Sequence, residues 1–166
     1  MLGTGRADVQ QKIQLSRKDQ EESLQSHWLA PVSLNGERPL PFAVELSRSR
    51  TLVSARTVES LGVSIEAIST GSICISEDLV YPLIRLVSLG VGDAVLKDFE
   101  VVVWGRPVLS PKVVAGMGEN TFRDLGNRPQ NPIDAIIDCR GVLGLDFLDN
   151  FLTTFDLHHE MLILQQ

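Results

Sequence analysis

From Pro31 onward the chain is written in short apolar segments, broken every few residues by glycine, proline or asparagine. Segments of that length with turn residues between them read as strands, so the expected class is mostly β with short helices. Residues 31–46 read as a hairpin, because Asn35 and Gly36 at its centre both tolerate positive φ. Residues 51–54 supply a third strand. Ser54 is then placed to cap a short helix over 55–61, with Ala55, Val58 and Leu61 on one side and Gly62 as its stop. Two more strands, 83–89 and 95–104, flank the turn Gly90-Val91-Gly92-Asp93. The run Val101-Val102-Val103-Trp104 is continuous rather than alternating, as for a strand covered on both faces.

The later part of the chain is less regular. Residues 105–132 are punctuated by Pro107, Pro111, Pro129 and Pro132 and by Gly105, Gly116, Gly118 and Gly126, and read as a long irregular loop of the kind that is usually functional or mobile. Ile136-Ile137 and Val142-Leu143 return to the core. Residues 145–151 read as a short helix with Leu145, Leu148 and Phe151 on one stripe. Residues 153–157 and 161–164 close the chain as a hairpin turning at His158-His159-Glu160.

Residues 1–29 differ from the domain that occupies 30–166. They form a polar arm in which Val9, Ile13, Leu15, Leu24 and Trp28 are thinly scattered, too few to order a segment by themselves. The alternatives are a mobile arm, a helix docked through Leu24 and Trp28, or a short docked strand using Val9, Ile13 and Leu15, which share strand parity. The polarity leads to an expectation of fast amide exchange up to about residue 22.

Composition excludes several functions. The net charge is −6 and no Lys/Arg block exists, which disfavours nucleic acid or an anionic membrane surface as a partner. No apolar stretch approaches the roughly 20 residues of a spanning helix. Met1 to Asp8 contain no apolar core of a signal peptide, which makes cytoplasmic the default compartment. Cys74 and Cys139 lie outside any CxxC pair and read as two reduced, half-buried thiols. No cofactor is implied, since Gly90-Val91-Gly92 and Gly116-Met117-Gly118 lack the third glycine and the strand-to-helix setting of a nucleotide fingerprint. No metal is implied either: His158-His159-Glu160 fit a polar hairpin tip, and His27 beside Trp28 fits packing or solvent. No Gly-x-Ser-x-Gly elbow is present. Cys139 beside Arg140 reads as part of a buried turn.

Several pieces occur together in a recognisable order: Val32-Ser-Leu-Asn-Gly36, Phe42-Ala-Val44, Ser54 to Gly62, Gly141-Val-Leu-Gly-Leu-Asp-Phe-Leu148 and Phe155-Asp-Leu157. In this order they resemble the retropepsin-like aspartic peptidases, over about residues 30 to 166 with 105–132 unmatched. The segment from Gly141 to Leu148 is the most specific of them. The resemblance implies a single-lobe acid-protease β-barrel, a homodimer in which two motif loops meet over one groove, and a protein or peptide partner.

The position that should hold the catalytic Asp-Thr/Ser-Gly triplet reads Glu45-Leu46-Ser47, followed by Arg48. The chemistry uses two aspartates that share a proton and activate a water. Glu45 keeps the carboxyl group but adds a methylene, moving it by about 1 Å or more, a displacement that can cost two orders of magnitude in rate. Leu46 has no hydroxyl to support the loop. Ser47 in place of glycine is expected to turn only with strain, and Arg48 is expected to put a cation near Glu45. The four changes lead to an expectation of no peptidase activity, with an aspartic-type endopeptidase using Glu45 as the alternative. Ile136-Ile137-Asp138-Cys139-Arg140-Gly141 echoes the motif, but Arg140 makes the spacing wrong by one residue, and Asp138 reads as a turn tether. Asp146 reads as a favourable charge at a helix N-terminus and Asp156 as the outward face of an edge strand.

Overall fold

The computed structural model of the chain describes residues 10–19, 26–62, 69–76, 79–105, 108–109 and 140–166. In chain order its elements are β1 (Gln10–Gln14), β2 (Ser16–Asp19), β3 (Ser26–Leu34), β4 (Leu40–Val44), β5 (Leu52–Ser54), α1 (Ala55–Ser60), β6 (Ser69–Ser76) and β7 (Leu79–Val91). They continue as β8 (Ala94–Trp104), β9 (Val108–Leu109), β10 (Gly141–Leu143), α2 (Leu145–Leu148), β11 (Leu152–Asp156) and β12 (Met161–Gln165). The expectations for Asp138, Cys139, Ile136, Ile137 and nearly all of the 105–132 loop lie outside the described residues, as does the side chain of Cys74.

Six strands close a barrel. β3 pairs with β4 and, further along, with β7; β4 runs parallel to β10; β10 pairs with β5, β5 runs parallel to β8, and β8 returns to β7. The switch in β3 follows from its hairpin. Asn35 and Gly36 sit at φ 53° and 76°, and Glu37 N–H donates to Leu34 O at 2.9 Å. Val32 is the last residue of β3 opposite β4, after which Val32–Leu34 pair with Val91, Gly90 and Leu89. Two glycines of β10 and its exit pack where no Cβ fits: an added Cβ at Gly141 would stand 2.0 Å from the Phe42 ring.

The core fills the barrel. Phe42, Val53, Ile84, Leu86, Leu89, Val101, Val103 and Leu143 are buried in one cluster, and Ala43, Leu52, Tyr81, Val102 and Val142 form a second. Successive valines of β8 thus point into different clusters, as a continuous apolar run requires when both faces are covered. α1 has the expected ends: Ser54 Oγ accepts from Thr57 N–H at 3.1 Å, and Gly62 stands at φ 72°. Ala55 and Val58 are buried, with Leu61 packed beside them. In α2 the expected stripe is incomplete, because Phe147 is also fully buried while Leu145 is half-buried. The helix covers only Leu145–Leu148 and gives way to a turn, so a 3.6-residue period does not extend to Phe151. Phe147 meets Phe99 edge-on at 6.0 Å and Phe151 at 5.3 Å.

Of the alternatives for the polar arm, the described residues take the docked strand. β1 and β2 lie within it, and β3 runs across its boundary at residue 29. β1 pairs with β12 from Gln10↔Gln165 to Gln14↔Met161, and β2 pairs with β3. Ile13 and Leu15 are buried, and Leu15 N–H donates to Glu160 O at 2.8 Å. Two apolar anchors suffice here because the ladder satisfies the backbone of an otherwise polar segment. Residues 10–15 should therefore exchange amide hydrogens slowly, at rates like those of β12, in a hydrogen-exchange experiment read by mass spectrometry. Exchange there as fast as in an unstructured peptide would contradict the β1–β12 ladder.

At the end of β11, Asp156 accepts from the His159 ring at 2.7 Å and from its backbone N–H at 3.1 Å, and these bonds hold its carboxyl below the usual range. Among the described residues no cluster of three His, Cys, Asp or Glu side chains is arranged to hold a metal, and no helix is long and apolar enough to cross a membrane.

Candidate functional site

The loop that follows β4 is built between β10 and α2. Glu45 N–H donates to Leu143 O at 3.2 Å, which extends the parallel β4–β10 ladder by one residue. Arg48 N–H donates back to Glu45 O at 3.2 Å and closes the turn through Leu46 and Ser47. The loop then lies across the start of α2, where Leu145 N–H donates to Arg48 O at 2.8 Å and Asp146 N–H to Ser49 O at 3.2 Å. Gly144 makes the approach possible, since an added Cβ would stand 2.5 Å from the Arg50 carbonyl carbon.

A polar cluster around the buried Thr51 and the half-buried Asp146 fastens the far end of the loop. Asp146 accepts from Thr51 N–H at 2.9 and 3.0 Å and from Thr51 Oγ1 at 2.6 Å, while Gly144 N–H donates to Thr51 Oγ1 at 3.1 Å. Thr51 is fully buried. Asp146 does stand in the first turn of α2, but its carboxylate spends its lone pairs on Thr51, a partner that the sequence reading misses.

At the turn itself, Glu45 Oε2 accepts from Ser47 Oγ at 3.0 Å, and Glu45 Oε1 stands 3.4 Å from His27 Nδ1. The His27 and Glu45 side chains are 14% and 25% exposed, whereas Leu46 is 56% exposed. Two expectations fail here. Ser47 is not among the described non-glycine residues at positive φ, which are Asn35, Asp98 and Glu160. The turn is closed by the Arg48 N–H without the left-handed conformation that would strain a serine. The group that meets Glu45 is the imidazole of His27, not the guanidinium of Arg48, which forms no ion pair with it within 4.0 Å. A signal for His27 was present: the β3–β4 register, Leu29↔Ala43 through Val32↔Leu40, continued outward by two residues on each strand sets His27 opposite Glu45.

Among the described residues the arrangement supplies one carboxylate, hydrogen-bonded by a neighbouring hydroxyl and flanked by an imidazole. Proton sharing between two like carboxylates needs a second such group at close range.

The six-strand barrel, the parallel β4–β10 and β5–β8 pairs and the loop wedged between β10 and a short helix make up a retropepsin-like fold. A retropepsin-like aspartic protease from Rickettsia conorii superposes with a TM-score of 0.56 at 17% identity, covering 96% of this chain and 94% of that chain. The retroviral protease-like domain of Ddi1 from Leishmania major aligns at 13% identity with a TM-score of 0.47, covering 82% of this chain and 86% of that chain. No protein-family model and no curated protein sequence matches the chain.

Proposed function

We propose that this chain is a retropepsin-like domain that has lost aspartic-peptidase catalysis and serves as a protein- or peptide-binding module, working as one half of a homodimer. The observation that carries the reading is the turn Glu45-Leu46-Ser47 at the end of β4, the position at which the resemblance to retropepsins implies the catalytic loop. Its carboxylate is longer by a methylene than aspartate and is engaged by Ser47 and His27. Leu46 offers an exposed apolar side chain where the chemistry uses a hydroxyl. An apolar residue at that place suits contact with a partner better than support of a proton-sharing pair. The dimer is what the resemblance to single-lobe retropepsins implies, since one chain supplies one motif loop.

The test is cleavage of casein at acid pH. Wild-type protein and Glu45→Ala should be equally inactive, and any residual cleavage in a preparation should not change with the mutation. Activity that vanishes in Glu45→Ala and returns in Glu45→Asp would establish the alternative, an aspartic-type endopeptidase using Glu45. Sedimentation equilibrium tests the second half of the reading: a monomeric mass at micromolar concentration removes the homodimer.

A further inference from the structure

Beside the candidate loop, two guanidinium groups converge on a single carboxylate. Arg50 stands three residues beyond Ser47, and its Nη1 is 3.6 Å from Glu100 Oε1 on β8. Arg85 on β7 is the cross-strand partner of Glu100, and its Nη2 is 4.0 Å from Oε2. Both separations exceed the roughly 2.7–2.9 Å of a charge-assisted hydrogen bond. Among the described residues Glu100 accepts a hydrogen bond from Thr70 Oγ1 on β6, at 3.2 Å from Oε2, a hydroxyl that also stands 3.3 Å from Leu83 O. Two cations thus share one anion and keep N–H donors that the anion does not engage. Among the described residues of this cluster the surplus is positive, in a chain whose net charge is −6.

The cluster is accessible and partly rigid. The Arg50, Arg85 and Glu100 side chains are 44%, 58% and 29% exposed. Arg85 and Glu100 project from paired strands. The Arg50 backbone is pressed against Gly144, and the next residue, Thr51, is fastened to Asp146. A guanidinium presented from a fixed base loses less entropy on meeting a ligand, and its planar fork suits a carboxylate bidentately.

We propose that Arg50 and Arg85 form a recognition site for an acidic side chain of an extended peptide bound along the candidate loop. Glu100 is the internal occupant of that site. When a ligand carboxylate arrives, Glu100 yields the guanidiniums and keeps the Thr70 hydroxyl. The proposal rests on the peptide-binding reading above and adds the charge of the ligand to it. The acidic net charge of the chain repels an acidic peptide elsewhere, so this local surplus fixes where such a peptide docks.

A random decapeptide library displayed on phage, panned against the full chain at low ionic strength, tests it. Asp and Glu should be enriched over the input. The enrichment should disappear with Arg50→Gln/Arg85→Gln, a double variant that breaks only exposed ion pairs and should keep the wild-type melting temperature. A selected peptide re-synthesised with Gln for Glu should bind at least about tenfold more weakly, the worth of one charge-assisted hydrogen bond. Glu100→Gln removes the competitor and should tighten the acidic peptide several-fold. Selected peptides without acidic preference would overturn the inference and leave the peptide-binding reading standing. A library that yields no binder to wild type overturns both.

Discussion

A chain ending at residue 160, without β12, is expected to be insoluble or unfolded. β12 is the central strand of a three-stranded sheet, paired with β1 on one side and β11 on the other. Its removal would strip the ladder partner from both and leave two unpaired edges in a segment with exposed Leu152 and Leu157. It would also remove Leu162 and Leu164, both buried in the main core. Each is worth roughly 2–5 kcal/mol, against a total domain stability of about 5–15 kcal/mol. The check is circular dichroism with thermal melting on whatever remains soluble, beside Leu162→Ala and Leu164→Ala, each expected to fold with lowered stability. A truncated chain that folds with the wild-type melting temperature would show that β12 is not a core strand. The dimer half of the proposed function would lose the sheet expected to support it.

What the sequence revealed and what it hid divide along the range of the interactions involved. The Asn35-Gly36 turn, the Ser54 cap with Gly62, and the both-faces burial of Val101 to Val103 depend on residues close in the chain, and they were legible. β1 was one of three alternatives, because its polar pattern acquires meaning only when paired with β12 some 150 residues away. β6, with Ser69-Thr70-Gly71-Ser72 at its start, has weak strand propensity and forms as a partner of β7. At the candidate site the same rule holds. The substituted triplet could be read directly, but the imidazole facing Glu45 follows from hairpin register and the Thr51–Asp146 fastening from a contact across 95 positions. The strain anticipated at Ser47 was a property borrowed from a glycine turn that this loop does not make.

That fastening leads to the other large expected effect. Asp146→Ala should destabilise the domain by about 2–6 kcal/mol, because Thr51 would keep a buried N–H and a buried O–H with no acceptor, at roughly 1–3 kcal/mol each. Thr51 is fully buried while Asp146 is half-buried, so water entering from the Asp146 side offsets part of the loss and sets it toward the lower end of that range. Asp146→Asn keeps one acceptor oxygen but turns an amide toward the second donor, and should lose about half as much. Thr51→Val removes one of the donors together with the acceptor of the Gly144 N–H. The two residues act as a unit, so Thr51→Val/Asp146→Ala should cost clearly less than the sum of the single losses. Thermal melts of the four proteins measure this, at about 2–4 °C per kcal/mol for a chain of this size. The loss should fall on the loop that carries Glu45 as well as on global stability, since Ser49 and Arg48 are held by the same first turn of α2. In hydrogen exchange the Arg48 amide, which closes the Glu45 turn, should therefore lose protection in Asp146→Ala at temperatures where the barrel remains folded. A variant with unchanged melting temperature and unchanged Arg48 protection would mean that the Thr51–Asp146 cluster does not position the loop, and the turn would then owe its shape to the β4–β10 ladder alone.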